Sequence, residues 1–545
     1  MTATFSPAVS FKRVELDPLA AAVQDRFRAS VSLSRRDGGV ALSIVLLEPS
    51  SLPELCKFLF WDAGCSFGGL IVEERQGKWC LSYLFLAAGS GWIEMLLQVP
   101  SSASSVPSIS SEVHAADWHE REAEDLFGLE FEGHPRLGDF VLHDQVWPEG
   151  AAPHRRLQRK SMDAHQAYFR RRPNPDWRPL LVVRDPGAFA MPVGPVYEGG
   201  LGQSVHFLLE TVGEDVVRAV PRLFYNFRAV EKIAEGEPVS RALLLAERFA
   251  ATSSFAHSLA FSLAIERMSG AEVPVRAKHL RILLGELERL RHHAGAITGI
   301  CESTALAVAA SQAAIIEERL LRASCQFTGH RYLFGLNTPG GLRRDFTNES
   351  FAELLKSVDL AASDLRVLEE RLNFTSSFLD RLEDVGLVSP DQARDLNFMG
   401  PVGRASARCY DLRLEYPYGG YEGYTFEVPR EVEGDGYARL RVLFQEAYQS
   451  ANLIHQAAER LQPGPVTARC EAPFGGVALG WAEAPIGAAL HWVRLDEAGL
   501  VERYRIITAS FNNWHGFRVA VEDFAFQDFP IILATFGLSA TECDR

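Results

Sequence analysis

Apolar residues at helical spacing, with many ionisable residues among them, make residues 247–293 the most strongly patterned stretch of this 545-residue chain. Two helices are predicted, separated by a breaker at Ser269-Gly270 with Pro274 close behind. The second helix carries one apolar stripe, formed by Leu280, Leu283, Leu284, Leu287 and Leu290. Glu286 projects to the edge of that stripe. Its carboxylate is either directed to solvent or paired inside a helical bundle, and the spacing leaves both open.

The first hundred residues instead show short β-rich runs around one helical stretch. Strands are predicted at 40–48, 79–88 and 92–100, and a helix at 52–64. These elements predict a small α/β layer domain. A polar, turn-rich connector follows at 100–111.

An acidic helix is predicted next, within residues 117–137. Asp117 is placed to cap its N-terminus, the end that favours anions, and glutamates follow at Glu120, Glu122 and Glu124. Gly128 is placed to end the helix. By themselves these residues predict a solvated helix followed by a turn.

The pattern divides the chain into a small domain at 1–150, a linker at 151–190 and a second domain at 191–545. The linker is rich in arginine and proline. Its basic run would lie along an acidic partner subunit or near lipid headgroups, or it is simply a solvated, extended linker.

Composition narrows the class of protein. The length implies two or more domains, and 47% hydrophobic with 23% charged residues is typical of a soluble globular protein. The net charge of −15 argues against a general nucleic-acid-binding protein, which needs a basic face. No run of eighteen apolar residues and no secretory signal are visible, so a cytoplasmic location is expected.

Cysteine spacing argues against a metal or cluster held by this chain alone. None of the eight cysteines forms a CxxC pair, and scattered cysteines are usually reduced and buried. The glycine-rich stretches match neither a P-loop nor a GxGxxG motif at a strand–helix junction, and no GxSxG nucleophile elbow occurs. Direct nucleotide binding therefore has little support.

Longer motifs indicate a known family. The run EREAEDLFGLEFEGHP, within 117–137, resembles the signature of the small (30-kDa-type) peripheral-arm subunit of respiratory complex I. The same module is fused to the large subunit of formate-hydrogenlyase-type, energy-converting [NiFe] hydrogenases. The second domain resembles that large subunit and the quinone-site (49-kDa-type) subunit of complex I, with ordered matches at 247–258, 331–345, 400–421, 433–454 and 481–492. By the same resemblance, a strand pair is predicted at 192–217 and a helix at 223–236. The resemblance implies an α+β fold, with a small N-terminal α/β domain followed by a large, mainly helical domain with flanking β structure.

Several residues depart from the family pattern at positions that bind the metal in hydrogenases. Functional [NiFe] hydrogenases hold nickel and iron through two CxxC pairs, because soft thiolates suit these metals. The four equivalent positions here are Ala250, Ser253, Ser539 and Glu542. Cys543 is one residue out of register, and Ile486 replaces an arginine that faces the iron's diatomic ligands in the family. The resemblance therefore implies that this chain binds no nickel or iron and does not cleave hydrogen by itself.

The equivalent cavity of complex I also lacks the metal and receives a quinone headgroup beside an iron–sulfur cluster on a neighbouring subunit. A histidine and a tyrosine bind the quinone there. Tyr197 lies near the position that corresponds to the quinone-binding histidine of the family, whereas His257 lies on the second predicted helix. Neither residue matches the quinone-binding pair cleanly. His257 would donate a proton or hydrogen-bond a ligand, or it is a satisfied structural histidine.

The other candidates for a catalytic role are Glu247, Arg248 and Glu266, which flank the lost thiolates. Together with Glu286, these glutamates would pass protons or conformational signals toward a membrane arm. They would equally pair with Arg248, Arg281 and Arg289 as a buried ionic network that fixes the bundle. Sequence leaves both readings open.

Two functions follow from the resemblance. In the first, the chain passes electrons from a partner's iron–sulfur cluster to quinone or a similar acceptor. The isolated chain would then be inactive, and nicotinamide chemistry would belong to another subunit. In the second, it is a non-catalytic coupling or scaffold subunit of an ion-translocating complex. Both attach it to the inner face of the cell membrane through a small iron–sulfur subunit and antiporter-like membrane-arm subunits, without a nucleic-acid partner.

Overall fold

The computed structural model describes residues 13–28, 30–35, 38–138, 140–142, 152–154, 183, 185–195 and 204–545. Tyr197 and most of the basic linker lie outside these residues. The boundaries at 150 and 190 therefore stay predictions.

A five-stranded sheet forms the centre of the N-terminal part. The elements that build it are α1 (Leu16–Arg26), β1 (Val31–Arg35), β2 (Val40–Leu46), α2 (Leu52–Lys57), β3 (Ser66–Arg75), β4 (Lys78–Ala87) and β5 (Gly91–Pro100). The strand order is β1-β2-β5-β4-β3, and only the neighbours β2 and β5 run parallel. The strands predicted at 40–48, 79–88 and 92–100 are present. The sequence pattern did not indicate β3, because Gly68 and Gly69 interrupt its apolar run.

Both faces of this sheet are covered. Strand β4 is buried from Trp79 to Ala87. Helices α1 and α2 share the core on one face, and on the other Trp92 of β5 contacts Trp481 of the second domain, with ring centroids 6.2 Å apart. A sheet covered on both faces favours continuous apolar runs, which is why β4 and β5 could be predicted from sequence.

Residues 100–111, predicted as a connector, contain the short strand β6 (Ser105–Pro107). Helix α3 (Asp117–Phe127) follows, and β7 (Glu130–Glu132) then pairs in parallel with β6. The helix ends at Gly128 in the left-handed conformation, φ 68°, as predicted.

The prediction that α3 is a solvated helix capped by Asp117 is wrong. Asp117, Glu120 and Glu122 are all buried. The Asp117 carboxylate makes no cap hydrogen bond and instead accepts one from Arg136 Nη2 at 2.8 Å. Composition suggested solvent exposure because the cations that pair with Glu122, Arg505 and Arg545, come from distant segments, and Glu120 is held by the hydroxyls of Ser108 and Tyr83 instead of a cation.

The second part of the chain contains the other named elements. In chain order they are β8 (Ala188–Val193), β9 (His206–Val212), β10 (Asp215–Arg222), α4 (Val230–Ala234), α5 (Val239–Arg248), α6 (Ser254–Ser269), α7 (Val275–Ser303), α8 (Ala307–Thr328), β11 (Asn337–Thr338), β12 (Gly341–Leu342), α9 (Asn348–Asn373), α10 (Ser376–Leu379), α11 (Pro390–Asp395), α12 (Gly400–Ala405), α13 (Leu412–Glu415), α14 (Gly436–Glu459), β13 (Gly476–Ala484), β14 (Gly487–Leu495), β15 (Val501–Thr508), α15 (Ala509–Val521), β16 (Phe524–Ala525) and α16 (Phe529–Phe536).

Two antiparallel sheets flank the helices of this part. One has the order β16-β10-β9-β8, and the other is the meander β13-β14-β15. The strand pair predicted at 192–217 is thus part of a larger sheet. The helix predicted at 223–236 is reduced to the five residues of α4.

The bundle at the centre follows the sequence prediction closely. Helix α6 ends at Gly270, φ 65°, and α7 begins after Pro274. The five leucines of the predicted stripe are fully buried between α7 and its neighbours α8 and α14. Helix α9 packs in turn against α8 and α14. Among the described residues, none of the helices combines the length and hydrophobicity that crossing a membrane would need.

Helix α6 also lies directly on the β13-β14-β15 sheet. At Gly480 a side chain is excluded, because its Cβ would lie 1.9 Å from the Ala260 carbonyl oxygen. This close approach lets side chains of α6 reach those of β14 and β15. The C-terminal helices α15 and α16 share one apolar core with the N-terminal sheet, so the two parts pack together. The fold is α+β, as the resemblance implied.

Candidate functional site

The positions equivalent to the lost thiolates come together in the structure, although 286 residues separate the first pair from the second (539 − 253). Ser253 ends a short 3-10 turn before α6, and Ser539 and Glu542 follow α16. Ser253 Oγ donates to Glu542 Oε1 at 2.6 Å, and Ser510 Oγ of α15 donates to Glu542 Oε2 at 2.7 Å. Ala250 is buried beside them, its carbonyl accepting from Ser253 N.

The Glu542 carboxylate is the charged centre of this cluster. Its exposed fraction is only 2%. Burial raises the pKa of Glu542, but the nearby His257 and the hydroxyls of Ser253 and Ser510 outweigh burial and lower it below the usual value. Glu542 is therefore an anion at neutral pH.

His257 of α6 lies beside that anion. Its Nε2 is 3.6 Å from Glu542 Oε1 and has no hydrogen-bond partner among the described residues. Its Nδ1 is 2.9 Å from His491 Nε2 on β14, and His491 Nδ1 is 2.5 Å from the Tyr504 hydroxyl on β15. All three rings are buried. A continuous row of polar groups thus runs from the sheet to Glu542.

Burial dominates the electrostatics of the two sheet residues. It lowers the pKa of His491 well below the ordinary value, and the nearby His257 lowers it further. Burial also raises the pKa of Tyr504 well above its ordinary value, as does the charge of Glu231. His491 is therefore neutral and Tyr504 keeps its phenolic proton at physiological pH.

Arg228 holds the two segments of the site together. Its guanidinium donates to three backbone carbonyls: Phe249 at 2.7 Å, Thr541 at 2.5 Å and Asp544 at 3.1 Å. One of these carbonyls precedes Ala250 and the other two flank Glu542. Arg228 is thus the clamp between the former ligand segments.

The two other departures from the family pattern lie in buried positions. Cys543 is fully buried, its Sγ is directed to the Ser539 carbonyl at 3.6 Å, and burial raises the pKa of its thiol well above the ordinary value. Ile486 is buried in the turn between β13 and β14. Neither side chain supplies a thiolate or a cation to the cluster.

Glu247 and Arg248 lie at the end of α5. Glu247 Oε2 accepts a hydrogen bond from Gly335 N at 2.6 Å, and its other oxygen is 3.5 Å from Arg248 Nε. Arg248 is largely exposed and lies 5.5 Å from the centre of the Phe334 ring. Glu247 and Arg248 therefore both contact the 331–345 loop.

Glu266 lies nine residues along α6 from His257, which corresponds to about 13 Å of helix. Its carboxylate accepts from Arg281 Nη2 at 2.7 Å and from Gly340 N at 2.7 Å. The same arginine donates to the Thr338 carbonyl. Glu266 therefore fixes the Pro-Gly-Gly turn against the bundle.

Glu286 is paired inside the bundle, not directed to solvent. It is fully buried, accepts from Arg413 at 2.9 Å and Tyr421 at 2.6 Å, and lies 3.3 Å from Arg289. Burial raises the pKa of Glu286, but Arg413 and then Arg289 lower it below its usual value. Glu266–Arg281 and Glu286–Arg289 are thus both buried ion pairs, as the network reading expects.

That network is larger than the sequence suggested. Arg404 contacts Glu446, Glu483 and Asp411, and His293 Nε2 is 2.9 Å from Glu446. Four of these residues lie on α12, α14, β13 and α7, and Asp411 caps α13, so the network ties the helices to the sheet. Their pairing could not be predicted from the sequence, because the partners lie in separate segments of the chain.

Sequence reasoning also missed Arg228, His491 and Tyr504. His491 had a usable signal, because it is the one polar residue in the run Ala488-Ala489-Leu490-His491-Trp492-Val493 of β14. Polar groups in buried strands need a partner. Arg228 and Tyr504 carry no comparable local signal.

Comparisons with known proteins fit this arrangement. The family described as respiratory-chain NADH dehydrogenase, 30 Kd subunit, matches residues 45–162. The family described as respiratory-chain NADH dehydrogenase, 49 Kd subunit, matches residues 311–478. Formate hydrogenlyase subunit 5 of Escherichia coli (strain K12) is 30% identical over 519 residues, covering 92% of this chain and 88% of that protein. The chain belongs to this family of fused 30-kDa- and 49-kDa-type subunits.

Further relatives of the family agree. Hydrogenase-4 component G of Escherichia coli (strain K12) is 28% identical over 97% of this chain and 92% of its own length. NADH-quinone oxidoreductase subunit 4 of Thermus thermophilus is 35% identical over 50% of this chain and 67% of its own length. A solved chain of the membrane-bound sulfane sulfur reductase (MBS), an archaeal respiratory membrane complex, superposes with a TM-score of 0.63 at 25% identity, covering 67% of this chain and all of that one.

Proposed function

We propose that this chain is a subunit of a membrane-attached oxidoreductase complex. In this proposal it passes electrons from a partner's iron–sulfur cluster to quinone or a similar acceptor, and it binds no nickel–iron centre. The observation that carries the proposal is the cluster at the former metal position. It is built from Glu542, Ser253 and His257, and the His257 Nε2 is left without a hydrogen-bond acceptor among the described residues.

The residues present do not fit a nickel–iron centre. A soft metal pair held by thiolates needs four sulfur ligands, and the equivalent positions carry an alanine, two serines and a glutamate. The hydroxyl of Ser253 and the carboxylate of Glu542 are already hydrogen-bonded to each other. Among the described residues, no group of three or more His, Cys, Asp or Glu side chains is arranged to hold a metal ion. No step of the proposed reaction passes through nickel or iron on this chain.

Reduction of a quinone to a hydroquinone consumes two electrons and two protons. The electrons would come from the reduced iron–sulfur cluster of a partner. His257 Nε2–H would supply one proton to a quinone oxygen, and water would supply the second proton to the other quinone oxygen and return a proton to His257. Because the electron donor lies on another subunit, we expect the isolated chain to be inactive.

The relatives support the setting of this proposal. They include a formate hydrogenlyase subunit, a hydrogenase component and a subunit of a respiratory membrane complex. We therefore propose attachment to the inner face of the cell membrane through a small iron–sulfur subunit and antiporter-like membrane-arm subunits.

The test is a quinone titration of the purified intact complex, with the reoxidation of the reduced iron–sulfur cluster followed spectroscopically. We expect quinone to reoxidise the cluster, and His257→Gln and Tyr197→Phe to slow that reaction. Absence of reoxidation, or unchanged rates in both variants, would contradict the proposal. Stoichiometric nickel in the purified chain would contradict the claim about the metal.

A second function has its own supporting observation. The ionic network around Arg404 and Glu286 pairs charges across four elements, which suits a subunit that couples movements mechanically between partners. In that alternative the chain is a non-catalytic coupling or scaffold subunit. A complex that translocates ions normally but shows no quinone-dependent reoxidation of the cluster would favour it.

A further inference from the structure

We propose that the buried ionic network around Arg404 is a proton-binding site, in which the Glu483 carboxylate takes up one proton from solvent. The site is separate from the former metal position. His491 is the strand partner of Gly480, three residues before Glu483, so Glu483 and His491 project from opposite faces of the β13-β14-β15 sheet. The proposal therefore does not depend on quinone reduction.

The charges of this network do not balance. Four carboxyls face three guanidinium groups, and none of these residues is more than 3% exposed: Glu286, Asp411, Glu446 and Glu483 against Arg289, Arg404 and Arg413. With every carboxyl ionised, the bundle interior would carry an excess negative charge, which is costly to bury. One proton added to a carboxylate oxygen makes the network neutral.

Two nearby basic groups do not supply the missing positive charge. His293 Nε2 is 2.9 Å from Glu446, but its Nδ1 has no hydrogen-bond partner among the described residues. A cationic imidazole would thus bury an N–H group without an acceptor, and burial lowers the pKa of His293 below its ordinary value. Arg408 is directed elsewhere, since its guanidinium donates to Asn397 and Ser66.

Glu483 is the carboxyl with the weakest partners. It accepts one hydrogen bond from Arg404 Nη1 and one from the Leu412 amide, both at 3.1 Å. Each of the other three carboxyls accepts a hydrogen bond from an arginine at 2.5 to 2.9 Å. Each also has a further side-chain hydrogen bond at 2.6 to 3.0 Å. The proton therefore resides on Glu483, whose negative charge is compensated least.

The pKa values of the four carboxyls follow the same order. Burial raises the pKa of Glu483 to about 7, and Asp411 adds to this increase, against the effect of the arginines. Burial raises the pKa of the other three as well, but the arginines lower it below the usual value.

The surroundings of Glu483 contain further titratable groups. The titratable and charged groups around it are Glu286, Arg289 and His293 of α7, Arg404 of α12, Tyr410, Asp411, Arg413 and Glu415 at α13, Tyr418, and Glu446 of α14. Burial raises the pKa of Glu415 to about 8, against the effect of Arg408. Glu415 is therefore protonated at neutral pH and adds no charge to the network.

The first test compares the full wild-type chain with Glu483→Gln, in which a neutral amide of similar shape replaces the carboxyl. Between pH 4.5 and about 7 the folded wild type keeps a proton on Glu483 that the unfolded chain releases. Its contribution to stability is full below pH 4.5 and is lost as the pH rises through about 7. The unfolding constant of wild type divided by that of Glu483→Gln should therefore rise by up to about tenfold per pH unit in this window.

Denaturant unfolding at several pH values measures this ratio. The control is Glu459→Gln, which removes an exposed carboxyl of α14 outside the network and should give a ratio that does not change with pH. A ratio for Glu483→Gln that is equally independent of pH would overturn the proposal.

The second test observes the proton itself, through the infrared carbonyl stretch of a protonated carboxyl. Below about pH 7 this band should be stronger in wild type than in Glu483→Gln. Glu446→Gln should weaken it as well, because three carboxyls then face three arginines and Glu483 stays ionised. An equal band in wild type and Glu483→Gln would overturn the proposal. A cationic His293 in nuclear magnetic resonance of the histidine-labelled chain would do so too, since the imidazole would then supply the missing charge.

Discussion

At the scale of single residues, the exchange of thiolates for Ser253 and Glu542 changes the kind of interaction that holds two distant segments together. A shared metal would join them by coordination, whereas here two hydroxyls and one carboxylate join them by charge-assisted hydrogen bonds. Such bonds need accurate placement of the backbone. Arg228 supplies it through the carbonyls on either side.

We predict that Arg228→Ala loosens the C-terminal segment. Three hydrogen bonds from a cation are lost, but the side chain is partly exposed, so we expect the local opening free energy to fall by about 1–3 kcal/mol. Hydrogen exchange of the amides at 537–545 measures this directly. Arg241→Ala, an exposed arginine on α5, is the control. Unchanged exchange at 537–545 in Arg228→Ala would contradict the clamp.

At the scale of elements, the sequence predicted what local periodicity controls. The break at Gly270 and Pro274 and the leucine stripe of α7 follow from the chemistry of neighbouring residues, and all are present. The burial of α3 could not be predicted in this way, because Arg505 and Arg545, which neutralise Glu122, lie more than 380 residues away. The positions of the lost thiolates were found only through the family resemblance.

The start of α6 illustrates an interaction between elements. Glu288 of α7 accepts hydrogen bonds from Phe255 N at 2.7 Å and Ala256 N at 3.0 Å, two amides of the first turn of α6 that have no helical acceptor. Burial raises the pKa of Glu288 from 4.5 to about 7, against the opposing effects of these amides and Arg291. This carboxyl therefore titrates near neutral pH.

We predict that Glu288 makes stability depend on pH between 4.5 and about 7. Between these pH values the folded state holds a proton on Glu288 that the unfolded chain releases. The contribution of Glu288 to the free energy of unfolding is therefore full below pH 4.5 and is lost as the pH rises through about 7. Wild type should lose up to about 3 kcal/mol relative to Glu288→Gln across it. Thermal midpoints of both proteins at several pH values measure the difference. Glu370→Gln, on the exposed face of α9, should follow wild type throughout. A difference between wild type and Glu288→Gln that does not change with pH would rule this out.

At the scale of the whole molecule, a buried cluster of charges, two glutamates and the arginines Arg503, Arg505 and Arg545, joins the two parts of the chain. Glu122 of α3 accepts from Arg505 Nη2 at 2.6 Å and from Arg545 Nη2 at 3.1 Å. Glu231 of α4 lies 3.3 Å from both arginines. Burial raises the pKa of both glutamates, but the arginines lower it below the usual value. The family signature on α3 is thus part of the contact between the parts, and the C-terminal segment that carries Glu542 is anchored by the same contact through Arg545.

We predict that the N-terminal part and the former metal position are coupled through Arg545. Glu122→Gln leaves buried arginines with one anion instead of two, so we expect a loss of about 3–5 kcal/mol. Arg545→Gln should cost a similar amount, and the double variant should cost less than the sum, with an interaction energy of about 0.5–3 kcal/mol. Both single variants should also speed hydrogen exchange at Glu542, whereas Glu130→Gln, exposed on β7, should not. Additive losses of stability with unchanged exchange at Glu542 would contradict this coupling. The cluster would then fix the N-terminal part alone, and the position of the Glu542 carboxylate would depend on Arg228, Ser253 and Ser510 without help from α3.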